Sequence, residues 1–238
     1  MKGPASDARR IAYFGGSFDP PHKGHLAIAR AAQAALGLDT VLFAPVGSQP
    51  LKPHGSTASF HDRVAMTQLA IADDPSFEIS AADAPNPDGS PNYTIDTLLR
   101  LRAELRANDI LFCLMGADSF LSLRHWHRSA EVPFAASLIV ASRPGELLDD
   151  LAAALPDGLS TQAVTSEPHS SGIELLVFDL RNSHGKSTPF CLLPGLHIDI
   201  SASEIRRQVG AAVGCLPTGH DLLPDAVCEY IARHKLYR

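Results

Sequence analysis

The sequence has few cysteines, little excess positive charge and no long apolar run. Only four of its 238 residues are cysteine, and none stands in a Cys-x-x-Cys pair, which predicts buried thiols in a reducing compartment rather than a disulfide or zinc framework. The formal net charge of −6 disfavours nucleic acid and anionic membranes as partners, although it allows a small basic pocket. Because no stretch approaches a membrane span and the N-terminal residues lack the apolar core of a signal peptide, we expect a cytoplasmic protein.

Short apolar runs alternate with longer segments in which apolar residues recur at helical spacing. The runs are typical of strands buried on both faces, and they are residues 11–14, 40–44, 110–115 and 137–142. The helical segments are residues 25–36, 60–72 and 93–107. This order predicts an α/β fold, with a Rossmann-like parallel sheet, right-handed crossovers and helices covering both faces.

The second half of the chain has a weaker pattern. Residues 145–187 contain scattered Pro, Gly and Ser, so we expect one strand at 173–178 and irregular connections otherwise. A helix is predicted from about residue 224, with Pro224 in its first turn, where proline is tolerated. We expect a single domain over residues 1–238, with a core at about 9–195 and a small C-terminal helical part at about 196–238.

The stretch GGSFDPPHKGH, beginning at Gly15, follows the first predicted strand directly. Gly15 and Gly16 let a ligand approach the backbone and leave N–H groups free. A helix that begins near Lys23 directs the positive end of its dipole at the same place, and His22 and His25 can donate hydrogen bonds to an oxyanion. Together these features favour a phosphate site, although the spacing matches neither GxGxxG nor GxxxxGK[ST].

Each of these features has a simpler interpretation when it is taken alone. A Gly-Gly pair after a strand is more often only a turn. Two histidines three residues apart at a helix start can be metal ligands or solvated side chains. A metal site needs a third ligand at a recognisable spacing, which the sequence does not clearly offer, so we predict no metal held by the protein itself.

A second unusual stretch, DISASEIRRQV, occupies residues 199–209. Ser201 followed by Glu204 fits a capping box that opens a helix. Ser203 and Arg206 then lie in the first turns beside exposed N–H groups, and this combination of hydroxyls, amides and a guanidinium favours a second phosphate site. A Ser-x-x-Glu pattern alone more often marks only a helix cap.

The two stretches resemble the HxGH and ISxxxxR elements of the nucleotidylyltransferase superfamily, here His22 to His25 and Ile200-Ser201 to Arg206. Further blocks are similar, in order and spacing, to bacterial nicotinate-nucleotide adenylyltransferases: RVAMTQLAI, NYTIDTLLRLR, GADSFLSLRHW, ASRPG and LLPDAVCEYIARHKLYR. The resemblance covers nearly the whole chain and is weakest over residues 145–187.

The resemblance implies transfer of AMP from ATP to nicotinate mononucleotide, with Mg²⁺ present, giving deamido-NAD and pyrophosphate. It implies that the catalytic residues are His22, His25 and Arg206, which would hold the ATP phosphates and stabilise the transition state. The implied ATP-binding residues are Gly15, Gly16, Ser17, Phe18, His22, His25, Gly116, Asp118, Ile200, Ser201, Ser203 and Arg206. Since the acceptor phosphate is already a nucleophile, the reaction needs positioning and charge stabilisation.

The resemblance also implies a site for the pyridine ring. Tyr93 and Thr94 open a predicted helix whose end amides and Thr hydroxyl would receive the pyridine carboxylate and favour the acid over the amide. Trp126 would stack on the ring, with ordinary core packing as the alternative. Lys52 would reach a phosphate as a loop cation, and His54 would assist it.

Three departures from the family pattern bear on substrate preference and on the loop that carries Lys52. His127 stands where the family often has an aromatic, and Ala202 stands where serine is common. The loop QPLKPH has a different residue order from the usual one. None of these changes removes a group that the mechanism requires.

The sequence leaves two other functions open. One is adenylyl transfer to another phosphorylated acceptor, such as nicotinamide mononucleotide or phosphopantetheine. The other is a nucleotide-sensing module without catalysis, against which the presence of His22, His25, Ser201 and Arg206 argues. No feature of the sequence marks an oligomer interface.

Overall fold

Eight strands form one sheet in the part of the chain that the computed structural model describes, namely residues 8–51, 55–142, 153–164, 173–196, 200–211 and 222–238. The strands are β1 (Arg10–Gly16), β2 (Thr40–Pro45), β3 (Phe77–Ile79), β4 (Ile110–Gly116), β5 (Ser137–Ala141), β6 (Leu159–Val164), β7 (Leu176–Asn182) and β8 (Ser187–Leu193). Their order is β3-β2-β1-β4-β5-β8-β7-β6. Pairing is parallel from β3 to β8, whereas β7 is antiparallel to both of its neighbours.

The helices are α1 (Lys23–Leu36), α2 (Phe60–Ile71), α3 (Thr94–Glu104), α4 (Ala117–Leu121), α5 (Val132–Ala135), α6 (Ala202–Ala211) and α7 (Asp225–His234). None of these helices is long and apolar enough to cross a bilayer. The predicted strands and helices of the first 142 residues are present, with shifted ends. Helix α1 stops at Gly37, which adopts the left-handed conformation with φ 57° that glycine accepts without strain.

Helices cover both faces of the sheet, as the sequence predicts. On β1, Ala12 and Phe14 belong to one hydrophobic cluster, which also contains buried residues of α1, α2, α6 and α7. Ile11 and Tyr13 belong to a second cluster, with residues of α3, α4 and α5. Because successive side chains on a strand point to opposite faces, these two clusters are the two sides of one Rossmann-like α/β sheet.

The segment 145–187 contains more sheet than the sequence predicts, wherever it is described. The strand expected at 173–178 lies later, at β7, and β6 and β8 were not predicted. β6 is an exposed edge strand, so it needs no apolar alternation that a sequence would show. β8 contains Pro189, which normally argues against a strand; its pairing with β5 begins only at Phe190.

The C-terminal part packs against the N-terminal half of the core. The backbone N–H of Lys23 donates to the Leu222 carbonyl oxygen at 2.9 Å, which fixes the start of α1. The Tyr230 hydroxyl donates to Asp62 of α2 at 3.0 Å. Pro224 is the N-cap of α7 rather than part of its first turn as predicted, because its backbone is extended, with ψ 144°.

The sheet order creates a crevice beside the carboxyl end of β1. The chain crosses from β1 to β2 and β3 on one side and from β4 to β5 on the other. Connections that diverge in this way leave an opening between the two central strands, here β1 and β4. Pairing between them ends at Phe14 and Leu114, two residues before each strand ends.

Candidate active site

A cavity of about 880 Å³ opens at this crevice. It brings together every site residue predicted from the sequence that lies in the described ranges. These residues are Gly15, Gly16, Ser17, Phe18, His22, His25, Tyr93, Thr94, Gly116, Asp118, Trp126, Ile200, Ser201, Ser203 and Arg206. Lys52 and His54 lie outside the described residues.

The sequence predicted that Gly15 and Gly16 follow the first strand. In the structure both residues belong to β1. Both pair with β2, and both line the cavity. Gly15 is required by a close approach, since a Cβ there would lie 2.1 Å from the Tyr13 hydroxyl oxygen. The glycine therefore gives the Tyr13 ring room to run along its own strand.

His22 and His25 stack on each other at the start of α1. Their ring centroids are 3.7 Å apart with an interplanar angle of 28°. The His22 backbone N–H donates to His25 Nδ1 at 3.2 Å, so the neutral His25 ring carries its proton on Nε2. His22 Nδ1 is buried without a hydrogen-bond partner among the described residues.

Both imidazoles are neutral in the free protein. Burial lowers the pKa of His22 to about 4. Burial, and then the neighbouring His22 ring, lower the pKa of His25 well below its usual value. At neutral pH the pair therefore offers N–H donors without fixed positive charge.

Phe18 is buried and packs against His25. It is 1% exposed, and its ring lies edge-on to the His25 ring, with centroids 5.0 Å apart. Its backbone is left-handed, with φ 46°, which is unfavourable for an aromatic residue and persists only where packing enforces it. The turn between β1 and α1 is therefore held in one shape by its aromatic anchor.

The predicted helix after Ser201 is α6. The Ile205 N–H donates to the Ser201 carbonyl oxygen at 3.0 Å, which places Ser201 at the helix start as expected. The predicted capping box would direct the Glu204 side chain back to Ser201. The Glu204 carboxylate accepts hydrogen bonds from the side chains of Arg207 and Gln208 instead. Arg206 Nη2 donates to the Ser203 hydroxyl at 3.1 Å, so these two predicted phosphate ligands are already associated.

Asp19 joins the two motifs, and sequence reasoning missed it. Its carbonyl oxygen accepts from Arg206 Nη1 at 2.7 Å. Its carboxylate accepts from the backbone N–H groups of Thr57, at 2.6 Å, and Ala58, at 3.1 Å. An acidic residue within an otherwise apolar Phe-Asp-Pro-Pro turn was the available signal.

Arg63 is a second missed residue. It is 2% exposed, and its guanidinium donates to the carbonyl oxygens of Ser17, at 2.7 Å, and Val46, at 2.8 Å. These carbonyls belong to the loops after β1 and β2, so Arg63 holds the cavity's backbone walls together. The signal was a charged residue on the apolar stripe of α2, in register with Met66 and Ala70.

Aromatic residues gather at the start of α3 and after α4. Tyr93 is the N-cap of α3 and Thr94 its first residue. The Tyr93 ring packs on His127, with centroids 4.4 Å apart. Trp126 is half-buried, and its Nε1 donates to the Ser122 hydroxyl at 3.0 Å. This region combines an aromatic surface with the start of a helix, a setting that suits a flat, anionic ring.

A buried hydrogen-bonded group lies beneath this region. The hydroxyls of Tyr13 and Thr97 both donate to the Asp83 carboxylate, which is 3% exposed. Burial raises the pKa of Asp83, partly opposed by these two donors. Tyr13 and Asp83 also line the cavity, and neither was predicted as a site residue because their pairing joins segments 70 residues apart.

The acidic residues that line the cavity are Asp19, Asp83 and Asp118. Within the described ranges no three His, Cys, Asp or Glu side chains cluster so as to hold a metal ion.

Known proteins are similar to this chain in sequence and in fold. The Cytidylyltransferase-like family model matches residues 13–208. A relative from Solibacter usitatus is 36% identical over 228 residues, covering 96% of this chain and 99% of its own length. One from Pelobacter propionicus is 37% identical over 228 residues, covering 96% and 98%. Both bear the name "Probable nicotinate-nucleotide adenylyltransferase".

A solved structure supports the fold assignment. Plasmodium falciparum nicotinic acid mononucleotide adenylyltransferase, complexed with NaAD, superposes with a TM-score of 0.66 at 16% identity, covering 96% of this chain and 97% of its own. The same enzyme complexed with APC gives 0.64. Fold, cavity and sequence agree, and the chain belongs to the Cytidylyltransferase-like family and, within it, to the nicotinate-nucleotide adenylyltransferases.

Proposed function

We propose that this chain transfers the AMP of ATP to nicotinate mononucleotide, giving deamido-NAD and pyrophosphate. The observation that carries the proposal is one cavity lined by His22, His25 and Arg206 together with Thr94 and Trp126. The first three residues offer donors to phosphate, and the last two offer an anion site and an aromatic surface for the acceptor ring.

The chemistry is an in-line displacement at phosphorus. A phosphate oxygen of nicotinate mononucleotide forms a bond to the α-phosphorus of ATP. The bond from that phosphorus to the oxygen bridging to the β-phosphate breaks, and its electron pair leaves with pyrophosphate. The nucleophile is already ionised, so the protein needs no general base and contributes orientation and charge stabilisation.

His22, His25 and Arg206 supply that stabilisation. His25 directs its Nε2–H away from the backbone N–H that its Nδ1 accepts, which leaves this donor for a phosphate oxygen. Negative charge beside the two imidazoles raises their pKa, so binding of the triphosphate itself strengthens them as donors. Arg206 is a permanent cation with several donors, and Ser201 and Ser203 lie beside it at the start of α6.

Mg²⁺ bound to the ATP phosphates would neutralise part of their charge. Gly15, Gly16 and Ser17 form backbone along the same wall of the cavity, where phosphate can approach closely. Gly116, at the end of β4, and Asp118, in the first turn of α4, are the proposed contacts to the nucleotide on the other side of the crevice. Lys52 is proposed as an additional loop cation.

The acceptor's carboxylate is proposed to bind at the N-terminus of α3. The first amides of a helix lack partners within the helix and attract an anion, and the Thr94 hydroxyl adds a donor. Trp126 offers a ring face to the pyridine. The amide of nicotinamide mononucleotide is uncharged and gains less from this helix end.

A comparison of three acceptors tests the proposal. Pyrophosphate release is measured with ATP, Mg²⁺ and either nicotinate mononucleotide, nicotinamide mononucleotide or phosphopantetheine. The expected result is the highest kcat/KM with the nicotinate compound. A higher value with either of the others would reassign the acceptor, and ATP binding without turnover on any of them would favour a sensing module.

A further inference from the structure

Tyr237, the penultimate residue, contacts the turn that precedes His22. Its hydroxyl donates to Asp19 Oδ1 at 2.8 Å, although the two residues are 218 positions apart in sequence. The Tyr237 ring is half-buried and packs against the hydrophobic cluster on the α1 side of the sheet. Tyr237 is not among the described residues that line the cavity, so any effect it has on substrate passes through Asp19.

Asp19 is a junction whose two halves have different partners. Its carboxylate is buried, with the residue 4% exposed, and it takes backbone donors from Thr57 and Ala58 in addition to the Tyr237 hydroxyl. Its carbonyl oxygen holds Arg206 Nη1 at 2.7 Å. Because buried carboxylates depend on their donors, loss of the Tyr237 hydroxyl disturbs the residue that orients Arg206.

The chain end adopts an unusual backbone to make this contact. Lys235 and Tyr237 are both left-handed, with φ 53° and φ 65°, a conformation that non-glycine residues seldom adopt. Strained conformations persist only where surrounding contacts enforce them. Lys235 and Tyr237 are therefore held in place by their contacts.

The helix that carries Arg206 touches the same residue. A Cβ at Gly210 of α6 would lie 3.0 Å from the Tyr237 carbonyl oxygen, so the glycine permits a close approach of the chain end to α6. Burial and the adjacent Asp19 raise the pKa of the Tyr237 phenol, while Arg206 and Arg63 act in the opposite direction. The phenol thus stays protonated at neutral pH and serves as a donor.

We propose that Tyr237 is a positioning residue for the triphosphate: its hydroxyl fixes the Asp19 carboxylate, and the Asp19 carbonyl in turn holds the Arg206 guanidinium at the cavity. The inference rests on the proposed function, in which Arg206 binds ATP phosphates. Tyr230 of the same C-terminal part makes a similar bond to Asp62, but neither Tyr230 nor Asp62 is among the described residues that line the cavity. The positioning role is therefore assigned to Tyr237 and not to Tyr230.

The test compares Tyr237→Phe with the matched control Tyr230→Phe. For Tyr237→Phe we expect kcat/KM for ATP to fall about 10-fold, the loss typical of one hydrogen bond to a charged group. The KM for nicotinate mononucleotide should stay close to that of the parent protein, whereas the melting temperature should fall by a few degrees, because the buried Asp19 carboxylate loses one of its donors. Tyr230→Phe, which removes a tyrosine–aspartate bond of the same kind, should leave kcat/KM for ATP unchanged.

A double-variant cycle identifies the route through Arg206. In an Arg206→Ala background, Tyr237→Phe should cause no further loss of kcat/KM for ATP, because coupled residues are not additive. Full additivity, or equal effects of Tyr237→Phe and Tyr230→Phe, would overturn the proposal. If Tyr237→Phe does not fold, Gly210→Ala provides a second test, because it shifts the Tyr237 backbone without removing the hydroxyl. Gly210→Ala should lower kcat/KM for ATP by less than the loss expected for Tyr237→Phe.

Direct binding separates this inference from the proposed reaction. Calorimetry with a non-hydrolysable ATP analogue needs no turnover, so it reports on Arg206 positioning even if the acceptor is another compound. We expect weaker analogue binding by Tyr237→Phe and unchanged binding by Tyr230→Phe. Unchanged binding by Tyr237→Phe would contradict the positioning role whatever the reaction is.

Discussion

His22 and His25 stack with their ring centroids 3.7 Å apart, and the His22 N–H donates to His25 Nδ1. This arrangement fixes the tautomer of His25 and buries both rings in their neutral form. The free enzyme therefore holds two donors ready at the start of α1 without the repulsion of two adjacent imidazolium ions.

The buried pair predicts a loss of stability in mild acid. The folded-state pKa of His22 is lowered to about 4 and that of His25 is also lowered well below its usual value, whereas an unfolded histidine titrates near 6.5. Between these values the unfolded chain binds more protons, so the free energy of unfolding falls as pH falls from about 6.5 toward 4. Each histidine contributes a slope of up to about 1.4 kcal/mol per pH unit.

Urea denaturation at pH 7, 6 and 5 measures this effect. The double variant His22→Gln/His25→Gln should show a shallower dependence than the parent protein over this window. All other titrating groups, including Asp83, are common to both proteins. Parallel curves would show that the two histidines are not buried in the neutral form.

His25→Ala should reduce turnover while the protein still folds. Removing one preorganised donor to a developing oxyanion typically lowers kcat by about 10²–10³-fold. The matched control is His184→Ala, because His184 is exposed in the turn between β7 and β8. Steady-state kinetics with melting curves check the prediction, and a His25→Ala enzyme as active as His184→Ala would exclude the role given to His25.

Arg63→Met should destabilise the fold more than a surface arginine does. It leaves the Ser17 and Val46 carbonyl oxygens without their donor, at a cost of about 1–3 kcal/mol for each buried group. Arg207→Met is the control, since the Arg207 side chain is 71% exposed and pairs with Glu204, a surface pair worth about 0–1 kcal/mol. Chemical denaturation of both variants makes the comparison, and equal losses would argue against the bracing role of Arg63.

Thr94→Val should weaken the preference for the acid. Loss of a hydrogen bond to a carboxylate costs about 1.5–3 kcal/mol, so kcat/KM for nicotinate mononucleotide should fall at least about 10-fold. The value for nicotinamide mononucleotide should fall less, and the KM for ATP serves as the internal control. If both acceptors lose equally, the carboxylate does not bind at the Thr94 hydroxyl.

Much of the fold and site can be predicted from this sequence because the relevant signals are local. The apolar runs of β1, β2, β4 and β5 and the helical spacing between them predict a parallel sheet with two covered faces. The HxGH and ISxxxxR motifs identify both walls of the cavity, since each motif sits at the start of a helix.

The remaining features depend on contacts between distant segments. The bond of Asp19 to Tyr237 spans 218 residues, and no local pattern announces it. The apolar stripe of α2 indicates that Arg63 is buried, but its partners, the carbonyl oxygens of Ser17 and Val46, belong to distant loops that no local pattern identifies. β6 shows no alternation of apolar residues because it lies exposed at the edge of the sheet. β8 could not be predicted from its first residues because Pro189 is unusual within a strand.

Product analysis tests the central claim most directly. The purified chain is incubated with ATP, Mg²⁺ and nicotinate mononucleotide, and the mixture is analysed by mass spectrometry together with a pyrophosphate assay. We predict that deamido-NAD and pyrophosphate form in equal amounts, and that the amounts of both are strongly reduced for His25→Ala. Failure to form the dinucleotide under conditions in which the protein is folded and binds ATP would contradict it.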